Sequence, residues 1–106
     1  MAWIFLILAG LLEVVWAYAM KQSAGFTRLG PTLVTVVAML ASVGLLSLAM
    51  RTLPLGSAYT IWTGIGAVGA FVVGIVVLSE PVNTIRLLAA SLIVGGIILM
   101  RLSSAP

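Results

Sequence analysis

Several residue types that carry protein chemistry are absent or scarce. The 106-residue sequence has no cysteine and no histidine, and its only acidic residues are Glu13 and Glu80. Disulfides, iron–sulfur clusters, thiol nucleophiles and the usual zinc sites are therefore excluded. Two carboxylates in one chain cannot supply both an acid/base pair and a metal cage. We expect a protein that is not an enzyme and that needs no metal or cofactor.

Charge of either sign is also scarce. Charged residues make up 7% of the chain, whereas a soluble domain has roughly 25%. The five basic residues are scattered from Lys21 to Arg101 and form no patch, so we expect no nucleic-acid partner. Hydrophobic residues make up 63%, more than a short soluble chain can bury. The composition therefore predicts an integral membrane protein whose main contact is the lipid bilayer.

Four apolar runs predict an all-α membrane protein with four transmembrane helices, near residues 2–21, 32–51, 55–79 and 84–101, in a single domain over residues 1–106. Each run approaches the roughly 20 residues that cross a bilayer. Residues 17–19 resemble a signal-peptide cleavage site, but Glu13 interrupts the apolar run and no basic residue precedes it, so we expect the first helix to be retained. Four helices with short loops enclose little volume, which predicts an oligomer.

The basic residues are divided almost evenly between the two membrane faces. Arg51 and Arg101 share the side of the N-terminus, and Lys21, Arg28 and Arg86 lie on the other side. With the α-amino group counted, the positive-inside bias that fixes orientation nearly vanishes. We expect insertion in both orientations; the alternative is one weakly preferred orientation with the three-charge side inside.

Glu13 lies in the middle of the first predicted helix. A charged and unpaired carboxylate at that depth costs several kcal/mol, so such residues are usually functional. It can hold a proton or, after losing it, a cation, and this mutual exclusion is the basis of an exchange mechanism. The alternative is a structural glutamate that is hydrogen-bonded to a neighbouring helix. The other residues on its helical stripe are Ala9, Gly10, Trp16, Ala17 and Met20.

Other residues that could line a site around Glu13 occur on the first, second and third helices. We expect Trp16, Tyr59 and Trp62 to line a cation site, although Trp16 or Tyr59 could instead belong to an interfacial belt. Ser42 is expected to lie in the same site, or else to bond the carbonyl four residues earlier. The small residues expected to permit close helix contact or bending are Gly64, Gly66, Ala70 and Gly74 on helix three and Gly95 and Gly96 on helix four, which we interpret as an assembly helix.

Three groups of residues together are typical of a known family. They are Glu13 with Trp16 and Lys21, residues 25–28 (Gly-Phe-Thr-Arg), and residues 54–66 from Pro54 to Gly66. Over essentially its whole length the sequence resembles the small multidrug resistance transporters. The resemblance implies an antiparallel, dual-topology homodimer in a prokaryotic inner membrane. It also implies that Glu13 binds proton or substrate, with Ser42, Tyr59 and Trp62 around it.

Within that family, Trp16 resembles the guanidinium exporters, since the exporters of bulky drugs usually have glycine three residues after the glutamate. Residues 62–66 and the Glu80-Pro81 pair point the same way, whereas Thr60 departs from the common alanine. We therefore expect proton-coupled export of guanidinium or small guanidinyl cations by alternating access, driven by the proton gradient. The alternatives are a broad exporter of quaternary ammonium or polyaromatic cations, a dimerising structural subunit, and a channel.

Overall fold

The computed structural model describes residues 1–103, and within them the chain forms four long helices. These are α1 (Ala2–Gln22), α2 (Leu29–Ala49), α3 (Leu55–Val76) and α4 (Thr84–Ser103). Each has 20 to 22 residues and is long and apolar enough to cross a membrane. The prediction of an all-α protein with four membrane-spanning helices is thereby confirmed. The predicted single domain also included residues 104–106, which lie outside the described residues.

The observed helix ends differ from the predicted ones where the backbone finds other hydrogen bonds. Helix α2 begins at Leu29, before the predicted residue 32, because Pro31 falls in its first turn, where the missing N–H is not needed. Helix α3 ends at Val76 rather than at residue 79. There Ser79 adopts a φ of 56°, and the Glu80 N–H donates to the Gly74 carbonyl at 2.9 Å, which turns the chain back over the helix end.

Helix α1 is the common partner of α2 and α3. It packs most extensively against α2, then against α3, whereas α2 and α3 touch little and α4 lies against α3. The buried core lies between α1, α2 and α3 and consists of Leu6, Ala9, Leu46, Ala49, Ala58 and Ile61. Helix α4 has no buried residue, but the Arg101 guanidinium lies 4.4 Å from the centroid of a Trp3 ring, which ties its end to the start of α1.

The subunit is thin. Its Cα atoms extend 44 × 34 × 16 Å, and the shortest dimension is about two helix layers at the usual 8–10 Å spacing. Large apolar side chains are exposed along its outer surfaces, above all on α4. A single copy of the chain therefore presents much of its apolar surface outward.

Glycines let α1 and α3 approach closely along parallel paths. A Cβ at Gly10 would lie 2.6 Å from the Ile65 Cγ2, and a Cβ at Gly69 would overlap Val14. Because residue numbers rise together at these contacts, the carboxyl ends of α1 and α3 lie at the same membrane face. Gly64, expected to permit bending, makes room for Ile97 of α4 within a continuous helix.

Candidate functional site

Glu13 extends from α1 onto the backbone of α3. A Cβ at Gly66 would overlap the Glu13 carboxyl group, so only glycine leaves this space for the carboxylate. The Glu13 Oε1 is buried, and within residues 1–103 it has no hydrogen-bond partner. A buried oxygen in this condition is costly and rare, so Glu13 stays the residue predicted to hold a proton or a cation.

Two consecutive hydrogen bonds join the three core helices one turn from Glu13. The Trp62 Nε1–H donates to the Ser42 Oγ at 3.0 Å, and the Ser42 hydroxyl donates to the Ala9 carbonyl at 2.7 Å. Ala9 lies four residues before Glu13, so the same carbonyl is also the acceptor of the Glu13 backbone N–H within α1. The bonds fix the indole of Trp62 and the turn of α1 that carries the carboxylate.

The Ser42 hydroxyl does not bond the carbonyl four residues earlier, which was the alternative raised for it. Ser42 has one hydroxyl proton, and it is directed to Ala9 rather than to the Ala38 carbonyl or the Glu13 carboxylate. The hydroxyl is completely buried between α1 and α2, where the Ala9 carbonyl is within reach. The hydroxyl therefore acts as a link between helices at the level of the site.

Two further aromatic side chains, Tyr59 and Trp16, belong to the predicted site. The centroids of the Tyr59 and Trp62 rings are 5.5 Å apart at an interplanar angle of 50°, and Tyr59 is 53% exposed. Trp16 lies one turn beyond Glu13 on α1, and its buried Nε1 has no hydrogen-bond partner among the described residues. Aromatic faces near a carboxylate suit a compact cation, which gains from both the charge and the π-systems.

The small residues of the predicted contact or hinge set lie at four locations. Gly66 is part of the carboxylate site, and Gly74 lies at the far end of α3, where a Cβ would overlap Glu80. Ala70, between them, lines a cavity at the α1–α3 contact. At Gly95 and Gly96 a Cβ would meet nothing within 4 Å, so these glycines leave open space on α4, and their role in assembly stays a prediction.

The larger recesses of the subunit are apolar. A cavity of about 640 Å³ opens between α1, α2 and α3, lined by side chains such as Val14, Tyr18, Val34 and Val77, with no charged group among its lining residues. Within the described residues, no three potential metal ligands cluster together. The cavity of about 640 Å³ is lined by none of the predicted cation-site residues Glu13, Trp16, Tyr59 and Trp62.

Comparison of the sequence with known proteins shows the family to which the chain belongs. The model of the family described as "Small Multidrug Resistance protein" matches residues 1–93, which include α1, α2, α3 and half of α4. The chain belongs to the small multidrug resistance family. It is 57% identical over 104 residues, 98% of this chain and 99% of the relative, to the "Guanidinium exporter" of Citrobacter freundii and to that of Salmonella typhimurium. The protein of the same name from Yersinia pseudotuberculosis is 56% identical over 98% of this chain.

In this small multidrug resistance protein, the structure joins Ser42 and Trp62 to Ala9, one helical turn before Glu13, and places Gly66 against the Glu13 carboxyl group. Sequence reasoning missed the Ala9 carbonyl as a hydrogen-bond acceptor. The available signal was that Ala9 shares the Glu13 stripe and, being small, exposes its backbone to a neighbouring helix. Gly69 was also missed, although it follows Gly66 by three residues on α3.

Proposed function

We propose that this protein exports guanidinium or small guanidinyl cations in exchange for protons, as an antiparallel dual-topology homodimer in a prokaryotic inner membrane. The observation that carries the proposal is the buried Glu13 Oε1 that has no hydrogen-bond partner among the described residues. The substrate class is supported by relatives that are 57% identical over 98% of the chain and bear the name "Guanidinium exporter".

The chemistry of exchange follows from one carboxylate in an apolar setting. A charged Glu13 needs a counter-charge, and its single negative charge is neutralised either by a proton or by a monovalent cation. Guanidinium is planar, and two of its N–H groups can donate in parallel to the two oxygens of a carboxylate. Binding of the cation therefore releases a proton, and rebinding of a proton expels the cation.

A second copy completes the chamber. The 16 Å thickness of the subunit and the exposed Tyr59 favour a site shared between two subunits, each contributing Glu13. The nearly even distribution of basic residues favours insertion in both orientations, which supplies the antiparallel pair. Exchange of conformations between the two subunits then opens the chamber to the opposite face of the membrane, which is alternating access. The proton gradient supplies the energy.

The test is guanidinium-coupled proton flux in liposomes that contain the purified protein. We expect a guanidinium gradient to drive protons in the opposite direction in the wild type. Glu13→Gln should abolish this flux, because the amide has almost the same volume but binds neither proton nor cation. Glu13→Asp keeps a carboxylate and should retain coupled exchange. Full guanidinium flux in Glu13→Gln would refute the proposed role of this carboxylate.

A broad exporter of quaternary ammonium or polyaromatic cations is the second candidate, favoured by the description of the matching family, "Small Multidrug Resistance protein". Trp16 is the residue that distinguishes these two candidate functions. Its bulky indole lies one turn from Glu13, and we expect it to admit a flat cation and to exclude one with several fused rings. Flux of a polyaromatic cation without flux of guanidinium in the wild type would favour the second candidate.

A further inference from the structure

The second carboxylate of the chain lies at the same membrane face as the end of α1. Because α1 and α3 run parallel, Lys21 in the last turn of α1 and Glu80 beyond the end of α3 line one cavity of about 250 Å³. Tyr18 and Gly74 also line this cavity, and its inner end is formed by Val14, the neighbour of Glu13. The cavity therefore extends from the membrane surface toward the level of the cation site.

The backbone holds Glu80 over the last turn of α3. Its N–H donates to the Gly74 carbonyl at 2.9 Å, and Ser79 makes the turn with a φ of 56°. A Cβ at Gly74 would overlap the Glu80 Oε1, so the carboxyl group lies directly on this glycine. A negative charge at the carboxyl end of a helix is unfavourable by itself, because the helix dipole is also negative there, and a nearby cation would stabilise it.

Lys21 is the basic residue placed to supply this cation. The guanidinium of Arg28 donates to the Gln22 carbonyl at 3.4 Å, and the guanidinium of Arg86 donates to the Pro81 carbonyl at 3.5 Å. Neither arginine is among the residues that line the cavity, whereas Lys21 is. The ammonium group on its flexible stem can move across the cavity toward the carboxylate.

We propose that Lys21 and Glu80 form a latch, an ion pair that closes the carboxyl ends of α1 and α3 in one of two subunit conformations and opens in the other. The latch rests on the proposed alternating-access function. When closed, it fills the cavity between the membrane surface and the Glu13 level. In an antiparallel dimer, exchange of the two conformations transfers the closed latch from one subunit to the other, and so from one membrane face to the other.

Disulfide cross-linking tests the proximity directly, because the natural chain has no cysteine. The double variant Lys21→Cys, Glu80→Cys should form an intramolecular disulfide in one subunit of each dimer when treated with copper phenanthroline in liposomes. Guanidinium flux should be lost on oxidation and restored by reductant. The matched control is Gln22→Cys, Glu80→Cys, since Gln22 lines a different cavity, and it should not cross-link. Failure of the first pair to cross-link, or unchanged flux after cross-linking, overturns the latch.

Charge reversal tests the ion pair without cysteine. Lys21→Glu and Glu80→Lys should each lower the maximal guanidinium flux by about fivefold, the scale of one partly exposed pair, and leave the half-saturating concentration unchanged. The double reversal should recover flux to within about twofold of the wild type. It also keeps the number of basic residues on each membrane face, so orientation is preserved. A double reversal as slow as either single variant overturns the latch. Absence of guanidinium flux in the wild type refutes the proposed function instead, and the cross-linking yield still reports on the pair.

Discussion

Replacement of Gly66 by alanine should impair guanidinium binding by displacing the Glu13 carboxylate. The added methyl group would occupy the volume in which the carboxyl group lies. The helices cannot easily separate to admit it, because Gly10 against Ile65 and Gly69 against Val14 hold α1 and α3 together on both sides. Glu13 must therefore adopt another side-chain conformation or α1 must shift.

The size of the effect can be worked out from this overlap. Inserting one methyl group into a close-packed contact costs about 1–3 kcal/mol. If this cost falls on the conformation that binds guanidinium, affinity should fall by about 5- to 150-fold. Alanine has the higher helix propensity, by roughly 1 kcal/mol, so the helix itself should not be weakened.

The assay is guanidinium binding by isothermal titration calorimetry, with thermal unfolding of the same sample. Gly44→Ala is the matched control, since a Cβ at Gly44 meets nothing within 4 Å, and it should bind like the wild type. Wild-type affinity in Gly66→Ala would show that the carboxylate does not depend on this glycine. Equal losses in both variants would also contradict the reasoning.

Four other expectations address coupling, selectivity, topology and the hydrogen-bonded link. Guanidinium affinity should weaken as pH falls, because protons occupy Glu13 in place of the cation; calorimetric titrations across pH test this, and a flat profile contradicts it. Trp16→Gly should weaken guanidinium flux and admit a polyaromatic cation, since the wall and the volume limit are both removed; unchanged selectivity in flux assays would refute this. A carboxyl-terminal reporter should detect both orientations in cells, and two lysines inserted after Arg101 should favour one orientation and reduce transport; a single orientation in the wild type would contradict it. Ser42→Ala should remove the hydrogen bonds to the half-buried Trp62 N–H and the Ala9 carbonyl and destabilise the protein by about 1–2 kcal/mol in thermal unfolding; unaltered stability would show that the link contributes nothing.

The helices and the key carboxylate were predictable for simple reasons. Four apolar runs of membrane-spanning length leave little other choice of fold, and a glutamate within such a run is conspicuous. The acceptor of the Ser42 hydroxyl was not predictable, because it depends on the close packing of α1 on α2. The end of α3 was misjudged because the apolar run continues past Val76, while the backbone turns at Ser79. Hydropathy indicates which residues can lie in lipid, but it does not indicate where the backbone hydrogen bonds of a helix end.

The position of α1 as the common partner of α2 and α3 has a consequence for biosynthesis. The ribosome releases α1 first, and α2, the next helix to enter the membrane, packs against it most extensively. Helix α3 then finds α1 already in place, and α4 finds α3. Each newly inserted helix can therefore dock on one that is already present. A subunit can acquire its tertiary contacts in the order of synthesis, without waiting for the end of the chain.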